Sequence, residues 1–139
     1  MKSVKRQLSL LGVVATVALV FAGVAEAGKL TLFVDVDEDS FVGPAEGVAG
    51  PFNVEGDTGS GAATFQCWGW QLVTGVTNVS QVYYIAGRGT ITTQGQEGVP
   101  MSVVGGTGDF RGVRGEALQV FTGDGFNFTI EFNLKGRGR

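Results

Sequence analysis

Met101-Ser-Val-Val-Gly-Gly-Thr-Gly-Asp-Phe-Arg-Gly-Val-Arg-Gly-Glu-Ala117 is the stretch on which the fold is decided. An apolar strand signal runs into glycines at positions 105, 106, 108, 112 and 115 and leads out into a second strand signal. Gly105, Gly106, Gly108, Gly112 and Gly115 permit positive φ and close backbone approach, so the chain can turn sharply between two strands. Phe110 is expected as a plug between them. Nucleotide-binding loops fail on the residues themselves. A Rossmann fingerprint starting at Gly106 needs glycine where Arg111 stands, and no helix pattern follows. A P-loop needs Gly-Lys-Ser/Thr, which is absent from the chain.

Outward from this turn the chain carries strand signals and no helix period. Phe126, Phe128, Ile130, Phe132 and Leu134 alternate with Asn127, Thr129, Glu131 and Asn133, so one face of a last strand must be buried. Residues 30–36, 62–73, 79–85, 89–94, 99–104 and 116–122 are further strands, separated by Gly, Pro, Asp and Asn. With Phe41–Val42 and Phe52–Val54 as shorter pieces, the count is about eight. Strands this short suit an antiparallel barrel or a sandwich. The 24 glycines favour the barrel, because tight corners and strong curvature need residues without a Cβ. The expected fold is therefore all-β, an eight-stranded antiparallel β-barrel, in a single domain spanning residues 28–139.

The glycine turn resembles the signature turn of the dirigent and allene oxide cyclase barrel family, the alternative being a glycine-rich turn of an unrelated all-β protein. Lys29-Leu-Thr-Leu-Phe33 is similar to that family's opening strand. Tyr84-Ile-Ala-Gly-Arg-Gly-Thr-Ile-Thr-Thr-Gln-Gly95 is similar to a strand pair of the cyclases, and Phe128-Thr-Ile-Glu-Phe-Asn-Leu134 to the aromatic last strand. The resemblance implies an eight-stranded barrel, frequently oligomeric, with an apolar cavity for a small apolar or aromatic molecule. It implies no cofactor. Arg114 matches the arginine of the family's Ala-Arg-Gly element, which implies a candidate catalytic anchor for an anionic oxygen; the alternative is a rim arginine paired with Glu116. Asp35 is the second catalytic candidate, although the family's His-Asp pair appears here as Val34-Asp35, without histidine and one residue out of register. Tyr84, by its place in the cyclase-like strand, and Cys67, by the family's central-strand cysteine, are candidate ligand-binding residues. Cys67 also reads as a buried, inert thiol.

Composition narrows the chemistry. The chain has no histidine, which removes serine–histidine hydrolysis and histidine-rich zinc sites. Cys67 is the sole cysteine, so no intrachain disulfide forms. Asp35, Asp37, Asp39 and Glu46 have the 1-3-5-12 spacing of a calcium loop, but Ser40 replaces the turn glycine, Pro44 interrupts the loop and a strand precedes it. A solvated acidic turn is the expectation, with no metal.

The first residues have the layout of an export signal: Lys2, Lys5 and Arg6, an uncharged run from Leu8 to Val24, then Ala25-Glu26-Ala27. Residues 1–27 are expected to be removed and the remainder to be secreted or periplasmic, without a stable membrane anchor. The alternative is an uncleaved anchor, since the run approaches the length that spans a bilayer. Cleavage loses three cations and one anion and takes the formal net charge from −3 to −5. An acidic surface argues against nucleic acid as a partner. Dimerisation or trimerisation would ease the demand on so small a core. Intact mass of the exported protein should correspond to residues 28–139; recovery of a membrane-held chain that begins at Met1 would contradict this.

Overall fold

The computed structural model describes residues 28–136 and shows an up-and-down barrel of eight antiparallel strands, closed by pairing of the last strand with the first. The strands are β1 (Gly28–Val42), β2 (Gly50–Asp57), β3 (Ala63–Gln71), β4 (Thr77–Ile85), β5 (Gly89–Gln96), β6 (Met101–Gly106), β7 (Arg114–Phe121) and β8 (Phe128–Lys135). The expected export signal, residues 1–27, and Arg137 and Arg139 lie outside the described residues.

Period-two alternation assigns each strand an inside and an outside. In β8, Phe128, Ile130, Phe132 and Leu134 are buried and the residues between them face outward. Leu30, Leu32, Val34 and Val36 do the same in β1. The interior is dominated by rings: Tyr83 meets Phe132 edge-on at 5.0 Å and packs on Phe65 at 5.2 Å, and Phe65 meets Phe128 edge-on at 5.1 Å. Such contacts are worth about 0.5–1.5 kcal/mol each beyond the area they bury.

Phe41–Val42 is not a separate strand. It is the end of β1, whose first half pairs with β8 and whose second half pairs with β2 across a register shift between Asp37 and Val42. Ser40 fills that irregularity: its Oγ donates to the Asp37 carbonyl at 2.6 Å and accepts from the Glu55 N–H at 2.9 Å. Phe126 falls in the turn before β8 rather than on its buried face.

The glycine-rich stretch caps one end of the barrel. A single 3₁₀ turn, Gly108–Phe110, follows β6 and drives Phe110 into the core, with Val113 beside it. Arg88, in the neighbouring β4–β5 turn, lies over the Phe110 ring at 5.2 Å, and its Nε donates to Asp109 at 2.9 Å. Gly106 is needed for close approach: a Cβ there would lie 2.8 Å from the Phe110 Cβ and would collide with the Thr90 carbonyl. Gly108 is needed for its conformation, at φ +59°. Gly105 is under neither constraint, since an added Cβ would meet only the Arg114 Nη1 at 3.6 Å.

Gly106→Val and Gly108→Val should each lower unfolding stability by about 1–3 kcal/mol, through overpacking in the first case and backbone strain in the second. Gly105→Ala should change it by less than about 0.5 kcal/mol. Denaturant titration of the three variants checks this; equal stability of all three would remove the structural role of the turn.

Candidate functional site: the open mouth of the barrel

At the end opposite the Phe110 plug, four loops join β1 to β2, β3 to β4, β5 to β6 and β7 to β8. Two side chains hold this rim in place. The Gln71 amide donates to the carbonyls of Ala45 and Val48 at 3.2 and 3.0 Å, and the Asn127 Oδ1 accepts from the Val36 N–H at 2.8 Å. Between the loops a cavity of about 130 Å³ opens into the lumen. Val36, Phe41, Phe52, Val54, Phe65, Phe121, Phe126 and Phe128 form its walls, and Gln71, Thr77, Glu97 and Gln119 supply the polar groups. Phe41 stacks on Phe52 and leans on Phe126, each at 6.0 Å, so the rings form a continuous wall.

Below this cavity the lumen contains an ordered polar chain. The hydroxyls of Tyr83 and Thr93 both donate to the Gln81 Oε1, at 2.9 and 3.0 Å. The Gln81 amide N–H donates to the Gln119 Oε1 at 2.8 Å, and Gln119 in turn hydrogen-bonds Glu97. From the other side the Thr77 hydroxyl donates to the Glu97 Oε2 at 2.5 Å. Gln81 and Thr93 are fully enclosed, so these bonds are what makes burying them tolerable.

Burial sets the electrostatics. It raises the Glu97 carboxyl above the ordinary glutamate value, while the donors Thr77 and Gln119 pull it back down. It also pushes the Cys67 thiol and the Tyr83 phenol well above their ordinary ranges, with the Glu97 charge adding to both, so both stay neutral. None of the described lysines or arginines lines the cavity.

The residues singled out from the sequence are not brought together. Cys67 faces the lumen and is buried, which suits an inert thiol close to the polar chain. Tyr84 is on the outer wall: it is 46% exposed, whereas its neighbour Tyr83 is fully enclosed, because successive strand residues face opposite ways. A lumen role therefore passes from Tyr84 to Tyr83. Arg114 also faces outward, at the plugged end, where its Nη1 donates to the Val113 carbonyl at 2.8 Å. Asp35 points out from β1 into an acidic surface groove with Asp37, Asp39 and Asp57. The calcium-loop spacing does not produce a loop, because residues 35–42 are strand and the Asp37 carboxylate accepts from the Asp39 N–H at 3.2 Å. Trp68 and Trp70 share the outer face of β3 beside Pro51, in a depression of about 690 Å³ that is larger than the lumen cavity but open to solvent. The glycines of the turn build the opposite end of the barrel from the cavity.

Sequence reading missed Gln81, Thr93, Gln119 and Glu97. The available signal was parity: Val79, Gln81, Tyr83 and Ile85 share one face of β4, and Ala117, Gln119 and Phe121 one face of β7. A lone amide in an otherwise apolar inward set marks a lumen contact. Comparison of the sequence with protein-family models and with curated proteins gives no match.

Because the folded-state pKa of Glu97 is raised, the stability it contributes is present in acid and is lost as pH rises through that value. Glu97→Gln should therefore gain on the wild type as pH rises from about 4 to about 7. Thermal melts across that range check the sign, and parallel profiles would contradict it. In the native protein Cys67 should also resist alkylation by iodoacetamide until the chain is unfolded.

Proposed function

We propose that the chain is an exported small-molecule-binding barrel of the dirigent-like and allene oxide cyclase-like type, which takes a compact apolar or aromatic molecule through its open mouth. One observation carries this reading: a phenylalanine-walled cavity ends on the two hydrogen-bonding side chains Glu97 and Gln119. Apolar walls with a few convergent polar groups are the usual make-up of a small-ligand site. Its volume of about 130 Å³ suits one ring or the end of a short unsaturated chain, since a protein cavity of about 150 Å³ accommodates benzene.

If the molecule reacts there, the contribution of the barrel is positional. Walls that exclude water hold a flexible compound in one pose, which favours one cyclisation or coupling outcome over others. Glu97 and Gln119 orient the polar end; Arg114 and Asp35, both outside the barrel, have no part in this. The absence of histidine favours a second reading, a non-catalytic binding protein of the cell envelope. Export rests on the signal-like first 27 residues. A homodimer or trimer is supported by the exposed Trp68, Trp70, Leu118 and Val120 on the outer wall, and the acidic balance disfavours nucleic acid as a partner.

Single-ring aromatics and short unsaturated compounds should show binding in ligand-observed NMR, and Val54→Phe, which places a ring in the cavity, should abolish it. Arg114→Ala should leave affinity unchanged. Loss of binding in Arg114→Ala with retention in Val54→Phe would place the site elsewhere. A substrate that cyclises with the same stereochemical outcome with and without the protein would favour the non-catalytic reading.

A further inference from the structure

The polar chain in the lumen has a direction. Tyr83 and Thr93 donate to Gln81, Gln81 donates to Gln119, and Gln119 and Thr77 supply the hydrogen bonds that hold Glu97. Each proton in the series is aimed toward Glu97, which is the arrangement that suits a carboxylate rather than a carboxylic acid. That carboxylate has no countercharge. Cys67 and Tyr83, the other titratable groups whose electrostatics are tied to it, are neutral, and no described lysine or arginine lines the cavity.

The described cations are all at the plugged end. Lys29 and Lys135 lie at the terminal ends of β1 and β8, Arg88 and Arg111 in the turns beside the plug, and Arg114 at the start of β7. The mouth carries Glu46 and Asp124 in its loops, and the Glu38 carboxylate lies against Gly125 in the β7–β8 turn, while Asp37 and Asp39 face the outer groove with Asp57. An anionic ligand would therefore approach an acidic rim and meet a second carboxylate inside. A cation would meet the opposite: attraction at the rim, the rings of Phe41, Phe52 and Phe126 among the walls, and a carboxylate without a countercharge. Aromatic rings lining a pocket are recognised surroundings of organic ammonium ions, and here a carboxylate lies among them.

Resting on the reading of the mouth as a ligand site, we infer that the group it recognises is a small organic ammonium ion, held between the phenylalanine rings with its charge against Glu97. Neutral compounds of the same shape bind more weakly, and carboxylates are rejected. Binding strengthens as pH rises through the Glu97 pKa, because only the ionised form supplies the countercharge.

Benzylamine, benzyl alcohol and benzoate have nearly the same shape and differ in charge, so they are the probes. Titration calorimetry of the full barrel at pH 7 should rank benzylamine about ten- to hundredfold above the alcohol, the range expected of a charge-assisted contact, with benzoate not binding. Glu97→Gln should remove the preference for the amine over the alcohol. Phe41→Leu, which keeps the carboxylate, should weaken the amine more than the alcohol. Equal affinity for amine and alcohol, or a preference that survives Glu97→Gln, overturns the ammonium assignment while leaving the mouth a ligand site. Failure of all three probes to bind overturns both.

Discussion

Pairing of β1 with β8 is the constraint from which the rest of the structure follows. It runs from Gly28↔Leu134 to Val34↔Phe128 and converts a meandering sheet into a closed surface, so that each side chain has to be inside or outside. An open sheet tolerates a polar residue on its packed face by letting it reach around an edge. A closed barrel removes the edge. Gln81, Thr93 and Gln119 are inside, so they are satisfied by one another and by Tyr83, Cys67 and Glu97. The polar chain is thus a product of closure as much as of composition.

The two ends of the barrel solve the problem of an exposed lumen in opposite ways. At one end a glycine-dependent turn folds Phe110 back over the core, and Arg88 seals it with a charge–ring contact and an ion pair to Asp109. At the other end a cavity of about 130 Å³ walled by phenylalanines remains, and the Gln71 and Asn127 side chains tie down its rim. The result is a rigid base and a lined, accessible mouth. The cavity therefore lies far from the segment of sequence that is easiest to read.

That distance explains what was and was not legible. The eight-stranded barrel follows from local signals, namely the alternation of Phe128 to Leu134 and the glycines between strands, and the plug role of Phe110 is visible because glycines flank it so closely. Inward parity was clear for β8 alone, where apolar and polar residues alternate without exception. In β4 the pair Tyr83-Tyr84 carries no parity information by itself, and the resemblance to the cyclase strand pointed to the outward member. Arg114 and Asp35 stand out as charges, yet on a barrel most charges are outside because the lumen cannot solvate them. Glu97 escapes notice because it lies in a turn, one residue beyond β5, where an acidic side chain is ordinary; β4–β5 pairing sets it beside Thr77, and the curl of the sheet into a barrel brings it to Gln119.

A lumen stoppered by Phe110 and Val113 is a blind well, not a conduit. Whatever enters leaves by the same door, so arrival and departure share one path and one set of ring contacts. A compound longer than the well must keep its far end in water, where the barrel makes no contact with it. On the proposed ligand-binding reading, such a well would discriminate by the tip of a molecule and be indifferent to its tail, and a whole series of compounds that share one terminus would compete for it on equal terms.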